Sequence, residues 1–301
     1  MKSTFETELK RCATAVEAHL QNVLTDQSQA GETVRPPRLM AAMRHGVLNG
    51  GKRVRPFLVL QSAALFNVPE KQAMATACAL ECLHCYSLVH DDLPAMDDDD
   101  LRRGEPTVHI AYDDATAILA GDALLTLAFD MVAGDTHIDD HQTARDLLSL
   151  LAKASGLGGM IGGQMLDIAA ESETPNEADI RQLQAMKTGA LIRYACEAGA
   201  VLGKATAQDR QRLRRYGEVI GSAFQLADDL LDVTADTQTM GKATGKDADR
   251  GKGTLIGIHG IDAVRAMLAQ QVAEAQSLLE PFGSKGEILR ETAGFIANRN
   301  N

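Results

Sequence analysis

The chain has 301 residues, 45% of them hydrophobic and 24% charged, a balance that supports a buried core and a globular protein. Its net charge of −11 argues against an extended nucleic-acid surface, since phosphate neutralisation needs clustered Lys and Arg. Five cysteines, an odd number in a chain this long, argue against a disulfide framework.

The opening MKSTFETELK has no apolar signal core and reads as the start of a helix. In chain order, apolar residues then recur at three- and four-residue spacing over 5–24, 38–48, 73–89, 115–132, 143–168, 180–202, 209–233, 261–279 and 288–297. Breaks fall at 31–37, 67–70, 133–140, 173–176 and 282–285, where Gly, Pro, Asn and Asp cluster. No run reaches the ~18 apolar residues of a membrane span; FLVLQSAALF, residues 57–66, is broken by Gln61 and Ser62. Alternating strand-like segments are absent. The expectation is an all-α protein, a single domain over 1–301 built as one bundle of about ten helices, cytoplasmic and without a membrane span or nucleic-acid partner. The stretch 236–259, glycine-rich and charged, is expected to be a functional loop such as a lid.

Cys78, Cys82 and Cys85 lie in ATACALECLHCYSLVH, which is apolar nearly all round. A zinc site needs a second ligand pair and a redox motif a strand-to-helix context, so these thiols read as small hydrophobes in a buried helix.

Two acidic motifs close apolar helices. His90 to Asp100, HDDLPAMDDDD, places six carboxylates in eleven residues. Asp91 and Asp97 would not share a face of an ideal helix, but a bulge at Pro94 could bring them together. In FQLADDLLD, Asp228 and Asp232 are one turn apart on one face and repel unless screened, with Asp229 beside them. Burying such charges unpaired is prohibitively costly, and hard divalent cations completed by substrate phosphates are the natural neutraliser. Asp113-Asp114 and Asp139-Asp140 read as solvated surface.

Cations supply the counterpart. Gly50-Gly51-Lys52-Arg53-Val54-Arg55-Pro56 is a fair phosphate cradle, but Arg53 stands where a nucleotide-binding loop needs Ser or Thr. Arg102 and Arg103 follow the first acidic motif, and Lys187, Lys242, Lys246 and Lys252 are further candidates. Gly158/Gly162 and Gly159/Gly163 have a spacing that permits close helix contact, and His137 and His141 read as solvated.

ECLHCYSLVHDDLPAMDDDDLRRGEPTVH, preceded by GGKRVRP and followed by GGQMLD, KTGALI, FQLADDLLD and GKATGKD, resembles the bacterial farnesyl diphosphate synthases of the short-chain trans-isoprenyl diphosphate synthase family, in motif order over nearly the whole chain. The resemblance implies an isoprenoid synthase fold, with the helices around a central active-site cavity. It implies a prenyltransferase that condenses isopentenyl diphosphate with dimethylallyl and then geranyl diphosphate to give (E,E)-farnesyl diphosphate. It further implies Mg²⁺, three ions per site, and a homodimer. By match, Asp91, Asp97 and Asp228 would be the main metal ligands, assisted by Asp92, Asp229 and Asp232. Arg102, Lys187, Lys242 and Gln164 would hold the allylic diphosphate, and Lys52, Arg55, His84 and Arg103 the isopentenyl diphosphate. Lys187, Thr188 and Gln225 match catalytic positions, and Asp167 a supporting one. Tyr86 and Ser87, five and four residues before Asp91, match the floor that sets chain length. The family's Tyr-Pro after the lid is replaced here by GTLIGIHG following Lys252, which leaves that end of the loop apart from the pattern.

Product length leaves geranyl and geranylgeranyl diphosphate as alternatives to farnesyl. A terpene cyclase would use one acidic motif and no isopentenyl diphosphate, and a non-catalytic subunit would have lost carboxylates that are intact here.

Overall fold

The computed structural model describes residues 4–170, 175–239 and 254–298, apart from the side chains at 4, 232, 234–239 and 298. Its helices are α1 (Thr4–Val23), α2 (Pro37–Leu48), α3 (Val54–Ala64), α4 (Glu70–Asp91), α5 (Val108–Ala111), α6 (Asp114–Ala133), α7 (His141–Ser155), α8 (Met160–Ala170), α9 (Glu177–Gln184), α10 (Ala190–Leu202), α11 (Ala207–Thr239), α12 (Leu255–His259), α13 (Ile261–Leu278) and α14 (Glu287–Asn298). A π-helical turn, Ala185–Gly189, joins α9 to α10, and a 3₁₀ segment, Glu280–Gly286, joins α13 to α14.

The all-α expectation holds, with instructive differences. FLVLQSAALF belongs to α3: Phe57, Leu58, Val59 and Leu60 are all buried, so the run has no polar face to betray a helix period. The pattern over 143–168 is two helices, parted at Gly156–Gly159, and that over 180–202 is interrupted by the π turn. Part of the expected loop is helical: α11 runs on to Thr239 and α12 occupies Leu255–His259, while 240–253 lie outside the described residues. The only sheet among the described residues is a ribbon of Leu101–Arg102 against Glu105–Pro106, strands too short to produce alternation. Asp113 and Asp140, read as surface, are N-caps of α6 and α7, accepting from the backbone N–H of Thr116 and Gln142.

Helix α4 is the axis. It is apolar all round because it packs against α3, α6 and α10, and Leu80, Cys82 and Leu83 are fully buried. Each such leucine contributes ~1.5–3 kcal/mol of transfer free energy. The five cysteines are free and buried, and burial pushes the thiols of Cys12 and Cys85 up to about 12, so they act as hydrophobes. Helix α10 continues the core towards α11, which packs in turn on α13 and α14.

Helix α6 needs separate mention. Its 20 residues have a mean hydropathy of 1.6 over their most apolar window, enough by length and composition to cross a membrane, although Asp122 and Asp130 interrupt the apolar run. Ala117, Ala120, Leu124 and Ala128 are buried, while Ile118 and Leu119 are exposed.

One buried ion pair fixes the start of α3. Arg53, left-handed at φ 51°, donates to Glu81 of α4 at 2.7 Å and to the Val47 carbonyl of α2 at 2.6 Å. The two charged side chains are 1% and 3% exposed. Removing one partner strands the other charge, so Glu81→Ala is expected to lower the unfolding free energy by about 3 kcal/mol. Urea denaturation checks this, and a loss below about 1 kcal/mol would contradict it.

Candidate active site

The first acidic motif is shaped by helix termination. Leu88 and His90 carbonyls receive the last turns of α4, from the N–H groups of Asp92 and Leu93. The chain then doubles back: Asp97 N–H donates to the Asp91 carbonyl at 2.8 Å and Asp98 N–H to Leu93 at 3.2 Å. Asp91 and Asp97 are thus brought together by a tight turn beyond the helix, rather than by a bulge within it. Burial, with Asp97 and Asp92 nearby, pushes the Asp91 carboxyl up to about 6, against an opposing pull from Lys187 and Arg102. Asp92 is buried and accepts from Arg102 Nε at 2.7 Å, and Asp99 lies 3.5 Å from the same guanidinium.

The second motif approaches from α11. Asp229 accepts from Gln184 Nε2 at 3.4 Å, and Gln225, one turn earlier, shares its face. Asp228 stands beside Asp229 on the same helix, and the side chain of Asp232 lies outside those described. Gln184 immediately precedes the π turn, and Lys187 within that turn pairs with Asp167 of α8 while its charge reaches Asp91. Both acidic motifs therefore adjoin the same short segment, Asp229 at Gln184 and Asp91 beside Lys187 in the cavity lining. Among the described residues no group of three His, Cys, Asp or Glu side chains is close enough to hold a metal ion by itself.

The basic residues gather at the other rim. Arg103 donates to the Gly50 carbonyl and, at 3.0 Å, to Asn49 Oδ1. Gly50 and Gly51 have φ of 88° and 121°, a backbone that L side chains rarely adopt, and a Cβ on Gly51 would lie 2.8 Å from Arg103 Cζ. Arg55 and His84 line the cavity, and Arg55 Nε is buried without a hydrogen-bond partner. Burial, reinforced by Arg55 and Arg103, pushes the His84 imidazole well below its ordinary range, so the ring is neutral. Lys52 is exposed, its ammonium 6.0 Å from the Phe295 ring. Lys242, Lys246 and Lys252 lie outside the described residues.

Between the rims is a cavity of about 450 Å³. Tyr86, Ser87 and His90 of α4 form one wall, and Met160, Ile161, Gln164, Met165 and Ile168 of α8 another, with Lys187 and Thr188 at the rim. Tyr86 is 5% exposed and stacks edge-on against His90, the rings 5.7 Å apart. Burial pushes its phenol up to about 12. His90 Nε2 donates to the Ile118 carbonyl of α6 at 3.0 Å, its ring seated where Gly121 has no side chain. Ser87 Oγ donates to the His84 carbonyl at 2.8 Å. The stripe Ile161, Met165, Ile168 was not singled out from sequence, although its i, i+4, i+7 spacing is legible there.

Carboxylates and cations thus surround the mouth of an apolar pocket, an arrangement suited to an anionic head on a hydrocarbon tail.

The ordinary carboxyl value of 3.8 is raised at Asp91 to about 6, so the folded state binds that proton more tightly than the unfolded chain. The associated stability is present at low pH and lost as pH rises through about 6. Asp91→Asn is therefore expected to raise the melting temperature of metal-free protein by a few degrees near pH 8 and hardly at all near pH 4. Calorimetry in chelator checks this; equal shifts at both pH values would contradict it.

Residues 36–283 match the sequence profile of the polyprenyl synthetase family. The chain is 43% identical to farnesyl diphosphate synthase of Escherichia coli (strain K12) over 272 residues, 87% of this chain and 89% of that protein. It is 41% identical to the chloroplastic geranylgeranyl pyrophosphate synthase 9 of Arabidopsis thaliana over 276 residues, 89% of this chain and 76% of that one. The fold is similar to the apo crystal structure of an FPP/GFPP synthase from Zymomonas mobilis, with a TM-score of 0.87 and 40% identity, covering 99% of this chain and 100% of that one.

Proposed function

This chain belongs to the polyprenyl synthetase family and is a short-chain prenyltransferase, and we propose that it condenses isopentenyl diphosphate with dimethylallyl and then geranyl diphosphate to form farnesyl diphosphate. The observation that carries this reading is the approach of both acidic motifs to segment 184–188, beside a largely apolar cavity that Tyr86 lines.

The donor set suits Mg²⁺. Asp91, Asp97 and Asp228 offer only oxygen, and a carboxyl held up to about 6 by burial and like charge is one that a divalent cation would stabilise as the anion. Mg²⁺, in the three-ion arrangement of the family's pattern, would act as a Lewis acid on the diphosphate leaving group. Since such ions need only one or two carboxylates and take phosphate oxygens for the rest, a preformed three-residue group is not required. Asp92 serves by holding Arg102, and Asp229 and Asp232 by supporting Asp228.

The residues divide the work. Arg102, Lys187, Lys242 and Gln164 hold the allylic diphosphate. Its C1–O bond breaks with the electron pair leaving on diphosphate. Thr188 and Gln225 present oxygen to the allylic cation. Lys52, Arg55, Arg103 and neutral His84 anchor isopentenyl diphosphate so that its double bond attacks C1, forming the new carbon–carbon bond. A proton is then lost to the departing diphosphate. The apolar walls keep water from the cation. Chain growth ends when the tail meets Tyr86, with Ser87 leaving room beyond ten carbons. The similarity to geranylgeranyl synthases makes a twenty-carbon product the specific alternative. The reading extends to a single domain over 1–301 and a cytoplasmic homodimer. The exposed Leu119, lining a groove of about 1170 Å³ between α2 and α6, supports a subunit interface on that face.

Purified protein incubated with dimethylallyl and labelled isopentenyl diphosphate is expected to give a fifteen-carbon product with Mg²⁺ and none with chelator. Tyr86→Ala is expected to shift products to twenty carbons or more. An unchanged distribution would remove Tyr86 as the floor. Light scattering should give twice the chain mass, falling to one chain in Leu119→Glu; a monomeric parent protein would contradict the dimer.

A further inference from the structure

The π turn Ala185–Gly189 bears Lys187 and Thr188, and it is clamped between two helices that carry other site residues. On one side, a Cβ at Gly163 of α8 would lie 2.2 Å from Lys187 N, 2.7 Å from Lys187 Cα and 2.8 Å from the Met186 carbonyl carbon. All three are backbone atoms, so no side-chain rotation could relieve the contact. On the other side, a Cβ at Gly221 of α11 would lie 3.0 Å from Gly189 Cα. Gly163 is buried and adjoins Gln164, while Gly221 sits one turn before Gln225 and two before Asp228. A π turn inserts one residue into the helical ladder and is costly to keep unless its surroundings hold it. Here backbone contact on both flanks holds it.

We propose that Gly163 and Gly221 are positioning residues: by letting α8 and α11 touch the backbone of the π turn, they set where Lys187 and Thr188 stand relative to the two acidic motifs. The inference rests on the reading of Lys187 as a ligand of the allylic diphosphate. It assigns to Gly163 a direct effect on the reacting geometry rather than a generic packing role. A displacement of an ångström at a positioned group can cost about 10²-fold in rate, so the effect should be seen in turnover as well as in binding.

The test is steady-state kinetics with geranyl and isopentenyl diphosphates on Gly163→Ala, Gly221→Ala, Lys187→Ala and the double variant Gly163→Ala/Lys187→Ala. Gly294→Ala is the control, since no heavy atom lies within 4 Å of its Cβ position. Gly163→Ala is expected to raise the KM for geranyl diphosphate about tenfold and lower kcat about tenfold, leaving the KM for isopentenyl diphosphate within about twofold. Gly221→Ala, a milder intrusion, should change the same parameters less. The double variant should be little worse than Lys187→Ala alone, as expected when both changes remove one interaction. If Lys187→Ala raises the allylic KM but the glycine variants leave it unchanged, the inference is overturned and the reading of Lys187 stands. If Lys187→Ala itself leaves that KM unchanged, the reading fails and takes the inference with it. Should Gly163→Ala fail to fold, Gly221→Ala decides by the same criterion.

Discussion

Concentrating carboxylates at the mouth of an apolar cavity is the constraint on which the rest of this structure turns. Asp91 ends a 22-residue helix, where the backbone dipole is already negative, and five further aspartates follow within nine residues. Nothing in helix propensity or core packing rewards this. Arg102 on Asp92 and the reach of Lys187 towards Asp91 offset part of the repulsion, yet Asp91 is still held up to about 6. The fold tolerates the strain because α4 is gripped on all sides by α3, α6 and α10. In the proposed function, a helix axis that ends in concentrated negative charge would capture cations together with an anionic ligand.

The π turn at 185–189 makes the two motifs into one site. Regular helix from α9 into α10 would rotate Lys187 and Thr188 out of register with the cavity. Around this turn the Lys187 ammonium meets Asp167 and its charge reaches Asp91, while Gln184 just before it meets Asp229. Opposite, Arg103 against Gly50 and Gly51 draws the segment before α3 onto the ribbon after the first motif, near Arg55 and His84. One anchor gathers the groups assigned to the allylic diphosphate and the other those assigned to isopentenyl diphosphate. In the proposed function the two substrates would be held from separate pieces of backbone, which would let their reacting carbons be aligned independently.

Much of this was legible in the sequence, for reasons that differ by residue. The helices with one apolar face, such as α1 and α7, announced themselves by period. Helix α3 did not, because a segment buried all round carries no period to read. Both acidic motifs and the glycine-cation segment were legible because their composition conflicts with their apolar flanks. The doubling-back at Asp97 was not, since Pro94 signals a break but not its direction. Nor was the π turn: it depends on Gly163 and Gly221 approaching from elsewhere in the chain, and spacing alone indicates close contact without naming the partner. Nor was the ion pair between Asp92 and Arg102 legible, since motif position says nothing of how two such residues meet in the fold.

The chain's similarity to farnesyl and geranylgeranyl diphosphate synthases at nearly equal identity shows how little of the sequence sets product length compared with the chemistry. In the proposed function the chemistry depends on carboxylates and cations acting jointly on diphosphate. Calorimetric titration of Mg²⁺ into the protein, with and without inorganic diphosphate, tests that most directly. Because no group of three ligands stands ready among the described residues, the account predicts weak Mg²⁺ binding alone and binding at least about tenfold tighter with diphosphate, lost in Asp91→Ala. Mg²⁺ affinity unaffected by diphosphate would contradict it.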